Sequence, residues 1–102
     1  MPRKNAEESL SALWQRGCNF LGSRTAILGG AMSWVSDRNL VSAISNAGGF
    51  GVIACGAMTP ELLKVEIAET QAMTNKPFGV NLITMHPDLE LLINVCIKAK
   101  VT

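Results

Sequence analysis

The chain has 102 residues, of which 48% are apolar, and its nine basic and eight acidic residues leave a formal net charge of +1. This balance excludes an intrinsically disordered chain and disfavours nucleic acid as a partner, because there is no excess of basic residues to neutralise phosphates. The longest nearly apolar stretch, residues 50–58, is too short to span a bilayer, so no membrane is expected as a partner. The length suffices for one small domain and excludes any large single-domain architecture in complete form.

Targeting and redox features favour a cytoplasmic protein. Residues 1–8 mix basic and acidic side chains, and no apolar run of the length that a signal peptide needs follows them. The three cysteines, Cys18, Cys55 and Cys96, are widely spaced and lack a Cys-x-x-Cys pair, so neither a disulfide framework nor a zinc site is expected. With a single histidine, the chain cannot build a histidine-rich metal site.

Residues 1–23 are predicted to form a helical lead-in, and three strand–helix units are predicted to follow in residues 24–102. Three short apolar segments bounded by Gly or Pro have the character of covered strands: residues 26–28, 51–55 and 78–83. Between residues 25 and 59 only Asp37 and Arg38 are charged, which is typical of a segment that is buried on most sides.

Each predicted strand is followed by a helix with recognisable boundaries. Ser36 is predicted to cap the first of these helices, and the Gly pair at residues 48–49 to end it. Thr59 and Pro60 predict the start of the second, because Thr is a good cap and Pro suits the first turn. The third starts near His86, and its apolar residues recur on one face: Leu89, Leu92, Ile93, Cys96 and Ile97.

The spacing from strand to strand is constant at roughly 25 to 28 residues, the length of one βα unit. A short repeat agrees with this spacing, since Phe-Gly-Val at residues 50–52 recurs at residues 78–80. Short connections between such units require parallel strands with right-handed crossovers. The sequence therefore predicts an α/β fold with the order helix, then strand and helix three times.

Residues 49–54 (Gly-Phe-Gly-Val-Ile-Ala) match the G-x-G-x-x-A pattern of dinucleotide-binding sites. That pattern must leave a strand and open a helix, so that the phosphates meet a helix N-terminus. Here it leaves a predicted helix and enters a predicted strand. A nicotinamide site of that type is therefore not expected.

The carboxyl ends of the predicted strands are a more promising site, because ligands of parallel α/β proteins bind where the loops converge. In this chain those ends are residues 29–32, 54–57 and 81–82. Bare glycine backbone beside the Asn81 amide suits the flat, polar-edged ring of a flavin. Each feature also has a structural interpretation: Gly29 and Gly30 in a tight turn, Asn81 as a local hydrogen-bonding residue, and Cys55 as a core residue. Trp34 either covers a ligand or is buried.

Three segments together resemble the nitronate monooxygenase family: residues 27–36 (Ile-Leu-Gly-Gly-Ala-Met-Ser-Trp-Val-Ser), 45–53 (Ser-Asn-Ala-Gly-Gly-Phe-Gly-Val-Ile) and 76–82 (Lys-Pro-Phe-Gly-Val-Asn-Leu). This family, formerly called 2-nitropropane dioxygenase, includes the flavin-dependent enoyl-acyl-carrier-protein reductases. The resemblance implies a TIM (β/α)8 barrel that holds FMN at the carboxyl ends of its strands. It further implies that the turn Gly30-Ala31-Met32 lies against the isoalloxazine ring and that Asn81 reaches the flavin.

The resemblance also implies what these residues lack. Family members place the catalytic histidine and the loops that hold the FMN phosphate beyond the third βα unit, and His86 does not match that histidine. A TIM barrel has eight βα units in typically about 250 residues, of which residues 24–102 resemble three. We therefore expect the N-terminal portion of such a barrel, with no catalytic residue, weak or absent FMN binding and no appreciable activity alone.

Three functions remain open from the sequence. The first is the N-terminal part of a flavoenzyme that passes electrons from a small-molecule nitronate to oxygen. The second is the corresponding part of a flavin-dependent enoyl-acyl-carrier-protein reductase. The third is a non-enzymatic βα module that self-associates through its open sheet edge.

Overall fold

The computed structural model describes residues 5–102, which form four helices and three strands. In chain order these are α1 (Ala6–Leu21), β1 (Leu28–Gly29), α2 (Arg38–Asn46), β2 (Phe50–Ala54), α3 (Pro60–Met73), β3 (Phe78–Asn81) and α4 (Leu89–Ala99). The strands form one parallel sheet in the order β1-β2-β3. The predicted α/β order is confirmed, although β1 starts two residues later than predicted and β3 ends two residues earlier.

The two faces of the sheet are packed differently, and the surroundings of two glycines show which face the helices cover. Gly51 faces α2, because a Cβ atom built on it would lie 2.5 Å from the Val41 carbonyl oxygen. Gly79 faces the other way, because a Cβ atom there would lie 2.9 Å from the Phe50 ring. Helices α2, α3 and α4 therefore cover one face, the helix face. The side that these three helices do not cover, the open face, carries Leu28, Phe50, Val52, Ala54, Gly79 and Asn81.

The hydrophobic core lies between the helix face and the helices. Its buried residues come from α2, α3, α4, β3 and the end of β2: Val41, Ile53, Cys55, Leu63, Ile67, Phe78 and Leu92. Burying a large aliphatic or aromatic side chain contributes about 1.5–3 kcal/mol, so this one-sided core is the main source of stability. An ion pair also joins α2 to α3, with Arg38 Nη2 lying 2.8 Å from Oε1 of the buried Glu66.

The N-terminus of α2 differs from the prediction by one residue. Asp37, not Ser36, is the N-cap, and its carboxylate accepts hydrogen bonds from the backbone N–H groups of Asn39 (2.9 Å) and Leu40 (3.3 Å). The bond from Leu40 is the main cause that lowers the pKa of the Asp37 carboxyl. Ser36 does not cap because its hydroxyl is engaged in the preceding loop. At α3, the predicted Thr59 cap is confirmed.

Part of the apolar stripe predicted for α4 is exposed. Leu92 is fully buried, but Ile97 is 67% exposed, and Val95 and Ala99 pack against the core instead. Within residues 5–102, the main neighbour of α4 is α3, because α4 follows the last strand of the sheet. The periodicity therefore identified an apolar helix correctly, but it did not show which side of that helix has a neighbour.

The N-terminal part of helix α1 extends away from the sheet. Residues 5–13 are all exposed, and Phe20 near the other end of the helix is exposed as well. The radius of gyration is 15.7 Å, larger than the value of about 13 Å for a compact chain of 100 residues. Across residues 5–102, every helix is too short or too polar to cross a membrane. The chain thus carries apolar surface on α1 as well as on the open face.

Candidate functional site

An apolar cavity of about 670 Å³ lies between the open face and the C-terminal half of α1. Its lining includes Phe20 and Leu21 of α1 and Leu28, Phe50 and Val52 of the sheet. Parallel sheets are ordinarily covered on both faces, so further packing is expected on this side. The four predicted site residues do not line this cavity. They lie further along, at the carboxyl ends of the strands.

The turn after β1 carries three of the four predicted flavin-contacting residues, Gly30, Ala31 and Met32. Gly30 directly follows the strand, and a Cβ atom built on it would meet no heavy atom within 4 Å. Met32 is 51% exposed. The backbone of this turn therefore borders open space on the open face.

Ser36 ties this turn to the neighbouring strand. Its hydroxyl oxygen accepts a hydrogen bond from Met32 N–H (2.8 Å) and donates one to the Gly30 carbonyl oxygen (3.3 Å). Its own carbonyl oxygen accepts from Ala54 N–H at the end of β2 (3.2 Å). The residue is 3% exposed, so water competes little for these bonds. Sequence reasoning missed this role, because no local pattern signals a contact to a residue 18 positions away.

Asn81, the fourth predicted residue, ends β3 directly beside Ala54 of β2. The Cys55 thiol donates a hydrogen bond to the Asn81 carbonyl oxygen at 3.0 Å, which ties the ends of these two strands together. The Asn81 side chain is exposed on the open face. The structure thus places the predicted residues along one edge, which we call the rim (residues 30–36, 54–58 and 81–86). Asn81 lies two strands, about 10 Å, from the Gly30 turn.

Cys55 is a buried hydrogen-bond donor. It is completely buried, and burial raises the pKa of its thiol to about 11, with nearby Cys96 adding to the rise. A reactive cysteine needs a thiolate, whereas this group stays protonated at neutral pH. The interpretation of Cys55 as a core residue is confirmed.

Cys55 is therefore expected to resist alkylation by iodoacetamide at about pH 8 in the folded chain and to react when the chain is unfolded in urea. The raised pKa also makes stability pH-dependent. The contribution is fully present below the ordinary thiol pKa of 9.0 and is lost as the pH rises towards about 11, because the unfolded thiol ionises first. Peptide mass spectrometry and urea unfolding measure the two effects. Rapid labelling of Cys55 in the native chain would contradict the assignment.

His86 joins the loops that follow β2 and β3. Its Nδ1 accepts a hydrogen bond from Asp88 N–H at 2.9 Å, so the proton lies on Nε2, which donates to the Met58 carbonyl oxygen at 3.0 Å. Both ring nitrogens are thus engaged with backbone groups. The histidine has a structural position at the rim, and neither nitrogen is left for proton transfer.

The rim fits the ring system of a flavin. It offers bare backbone at Gly30 and an amide at Asn81, and the loops at residues 30–36, 55–58 and 82–86 contain no Asp, Glu, Lys or Arg. Such a surface suits an uncharged ring with polar edges, whereas a phosphate needs Arg, Lys or free N–H groups at a helix N-terminus. At α2 that terminus is already capped by the Asp37 carboxylate, which repels an anion.

Comparison with known proteins agrees with this geometry. The family model described as nitronate monooxygenase matches residues 17–95. The chain is 42% identical over 62 residues to a (3aS,4S,5R,7aS)-5-hydroxy-7a-methyl-1-oxo-octahydro-1H-indene-4-carboxyl-CoA dehydrogenase of Mycobacterium tuberculosis, covering 61% of this chain and 18% of the relative. It is 39% identical over 67 residues to a nitronate monooxygenase of Paraburkholderia phytofirmans, covering 66% of this chain and 18% of the relative.

Among solved structures, FabK from Thermotoga maritima superposes with a TM-score of 0.82 and 43% identity, covering 84% of this chain and 28% of FabK. The chain thus spans less than a third of each of these proteins. Its three βα units correspond to the N-terminal portion of a TIM barrel, as predicted. The family match over most of the chain and the flavin-compatible rim lead to one conclusion: the chain belongs to the nitronate monooxygenase family of flavin-dependent oxidoreductases.

Proposed function

We propose that this chain forms the first three βα units of an FMN-dependent oxidoreductase of the nitronate monooxygenase type. In this proposal Gly30, Ala31 and Met32 hold the isoalloxazine ring against their backbone, and Asn81 bonds to its polar edge. The observation that carries the proposal is the rim, where two lateral hydrogen bonds hold the three strand ends side by side beneath an uncharged, open surface.

A bound flavin supplies the redox chemistry, which in a nitronate monooxygenase moves electrons from a small-molecule nitronate to oxygen. In this proposal, the residues of this chain bind and orient the flavin ring. The turn at residues 30–32 offers the N–H and C=O groups of Ala31, because those of Met32 and the Gly30 carbonyl are engaged within the loop, and the Asn81 amide both donates and accepts. No residue here is proposed as the catalytic base, since the resemblance places that histidine beyond the third βα unit. A cytoplasmic location is part of the same proposal.

Because the rim loops carry no Arg or Lys and the Asp37 carboxylate caps the N-terminus of α2, we expect residues 1–102 to bind riboflavin and FMN equally weakly. An NMR titration of the isotope-labelled chain measures this. We expect riboflavin and FMN to shift the amides of Gly30, Ala31, Met32 and Asn81 at similar concentrations, without turnover of an added nitronate. Stoichiometric FMN binding with nitronate oxidation, or shifts confined to other surfaces, would contradict the proposal.

A second candidate reaction is the reduction of an enoyl thioester, as in the flavin-dependent enoyl-acyl-carrier-protein reductases. The observation that favours it is the name of two similar proteins, from Mycobacterium tuberculosis and Rhodococcus jostii, each a dehydrogenase of a carboxyl-CoA compound. CoA compounds of this kind are thioesters. Assays of a full-length protein carrying this segment distinguish the two reactions, one with a nitronate and oxygen and one with an enoyl thioester and reduced nicotinamide.

A third candidate is a non-enzymatic module that self-associates. The exposed edge of β3 and the exposed apolar side chains of Phe20 (86%) and Leu28 (56%) favour it. Unpaired strand edges and apolar surface both promote association. Light scattering measures the oligomeric state, and thermal unfolding measures cooperativity. A stable monomer with a cooperative thermal transition excludes self-association as the function.

A further inference from the structure

The loop between the Gly30 turn and α2 is held in an unfavourable backbone conformation. The N–H groups of Val35 and Ser36 both donate to the Met32 carbonyl oxygen, at 3.0 and 2.8 Å, which closes a tight turn. Trp34 occupies the third position of this turn with a φ of +63°. That position at positive φ favours glycine, and it is disfavoured for a bulky side chain.

Packing does not explain the conformation of Trp34. Its side chain is 76% exposed, so among the described residues little contact holds the indole in place. The sequence left open whether Trp34 covers a ligand or is buried, and within residues 5–102 it is not buried. Something else in the loop must offset the cost of the positive φ.

The hydrogen bonds of Ser36 can offset the cost of the positive φ at Trp34. Its hydroxyl bonds to both ends of the preceding turn, at Gly30 and Met32, and its carbonyl oxygen anchors the loop to Ala54 of β2. The residue is almost fully buried. Since Asp37 caps α2, the Ser36 hydroxyl is not needed for the helix. The hydrogen bonds of this hydroxyl stabilise only the turn.

We propose that Ser36 is a positioning residue of the flavin site: its hydroxyl holds the turn at residues 30–32 in the orientation that faces the ring, against the tendency of Trp34 to leave positive φ. The part that concerns the flavin rests on the proposed function. Without the hydroxyl, Met32 N–H and the Gly30 carbonyl lose their partner, Trp34 relaxes to negative φ, and the backbone that lies against the ring moves.

The test compares Ser36→Ala with Ser42→Ala in the 102-residue chain. Ser42 is a matched control, because it is buried to the same 3% exposure, but its hydroxyl bonds to Asn39 within α2. In Ser36→Ala, we expect amide exchange of Met32 to be about 10-fold faster and riboflavin binding about 10-fold weaker, as for the loss of a buried hydrogen bond. Ser42→Ala should change neither. Unchanged Met32 exchange, or equal effects of the two substitutions, overturns the proposal.

A second variant tests the strain directly. Glycine adopts positive φ without steric cost, so Trp34→Gly combined with Ser36→Ala should restore the turn. Relative to Ser36→Ala alone, we expect slower exchange at Val35, whose N–H donates to the Met32 carbonyl oxygen, and recovery of most of the riboflavin binding. If Ser36→Ala does not fold, the double variant should fold, and a double variant that also fails to fold overturns the proposal.

The two readouts separate this proposal from the proposed function. Faster Met32 exchange with unaltered riboflavin binding means that Ser36 shapes the turn without positioning the flavin, and it overturns the proposal. If the wild-type chain shows no riboflavin shifts at the rim, the proposed function fails, and the flavin part of this proposal fails with it. The exchange data then still report whether Ser36 holds the turn.

Discussion

Gly51→Ala is expected to destabilise the chain by about 3 kcal/mol, or to prevent its folding, because overpacking against backbone cannot be relieved by a side-chain movement. The added Cβ would lie 2.5 Å from the Val41 carbonyl oxygen and 2.9 Å from the Val41 Cα atom. α2 would have to move away from β2, and the contacts between Val41 and the core would open. Urea unfolding followed by circular dichroism measures the loss.

Gly29→Ala provides the control for this prediction. It also adds a methyl group to the helix face, but the atoms it would strike belong to the Ile44 side chain, which can change rotamer. We expect a loss of only about 1 kcal/mol. Equal losses for the two variants would show that α2 does not approach the sheet as closely at Gly51 as described.

Gly30→Ala is expected to leave folding intact and to weaken riboflavin binding by about 10-fold or more. The new Cβ meets no heavy atom within 4 Å, and Gly30 does not have positive φ, so alanine is tolerated there. Replacing glycine by alanine at a compatible position changes stability by about 0.4–1 kcal/mol in the favourable direction. The methyl group would instead occupy the space against which the ring is proposed to lie. Thermal unfolding and the NMR titration measure the two effects.

Gly30→Ala and Gly51→Ala make the same chemical change at two positions of the sheet and its loops, so their effects can be compared directly. Gly51→Ala is expected to impair folding, whereas Gly30→Ala is expected to weaken only the binding of the ligand. Asn81→Ala extends the comparison to the opposite end of the site, where we expect weaker riboflavin binding with little change in stability. Wild-type riboflavin affinity in a folded Gly30→Ala chain would show that the ring does not contact this turn.

The order of elements was predictable from the sequence because its signals are local. Thr59 and Pro60 mark the start of α3 within two residues, and glycine and proline bound the strands. The choice between Ser36 and Asp37 as the cap of α2 was not predictable, because both residue types cap helices well. The preceding loop decides it by engaging the Ser36 hydroxyl.

For the site, sequence reasoning identified where the strands end but not how the ends are joined. The bond from Ala54 N–H to Ser36 and the bond from Cys55 to Asn81 link residues 18 and 26 positions apart in the chain, and they depend on the sheet register. A periodic pattern also shows that α4 has an apolar side. It does not show which part of that side is covered within residues 5–102, and Ile97, which belongs to the pattern, is exposed.

The close approach of α2 to Gly51 has a consequence for the rim. The helix begins directly after Ser36 and Asp37, and it touches the sheet at Val41, about one turn further on. The height of the helix above the sheet therefore sets the height of the turn that is proposed to face the ring. A substitution that moves α2 away from β2 at any point along the strand should therefore change the orientation of that turn. Ligand affinity in this fold then depends on packing several residues away from the ligand.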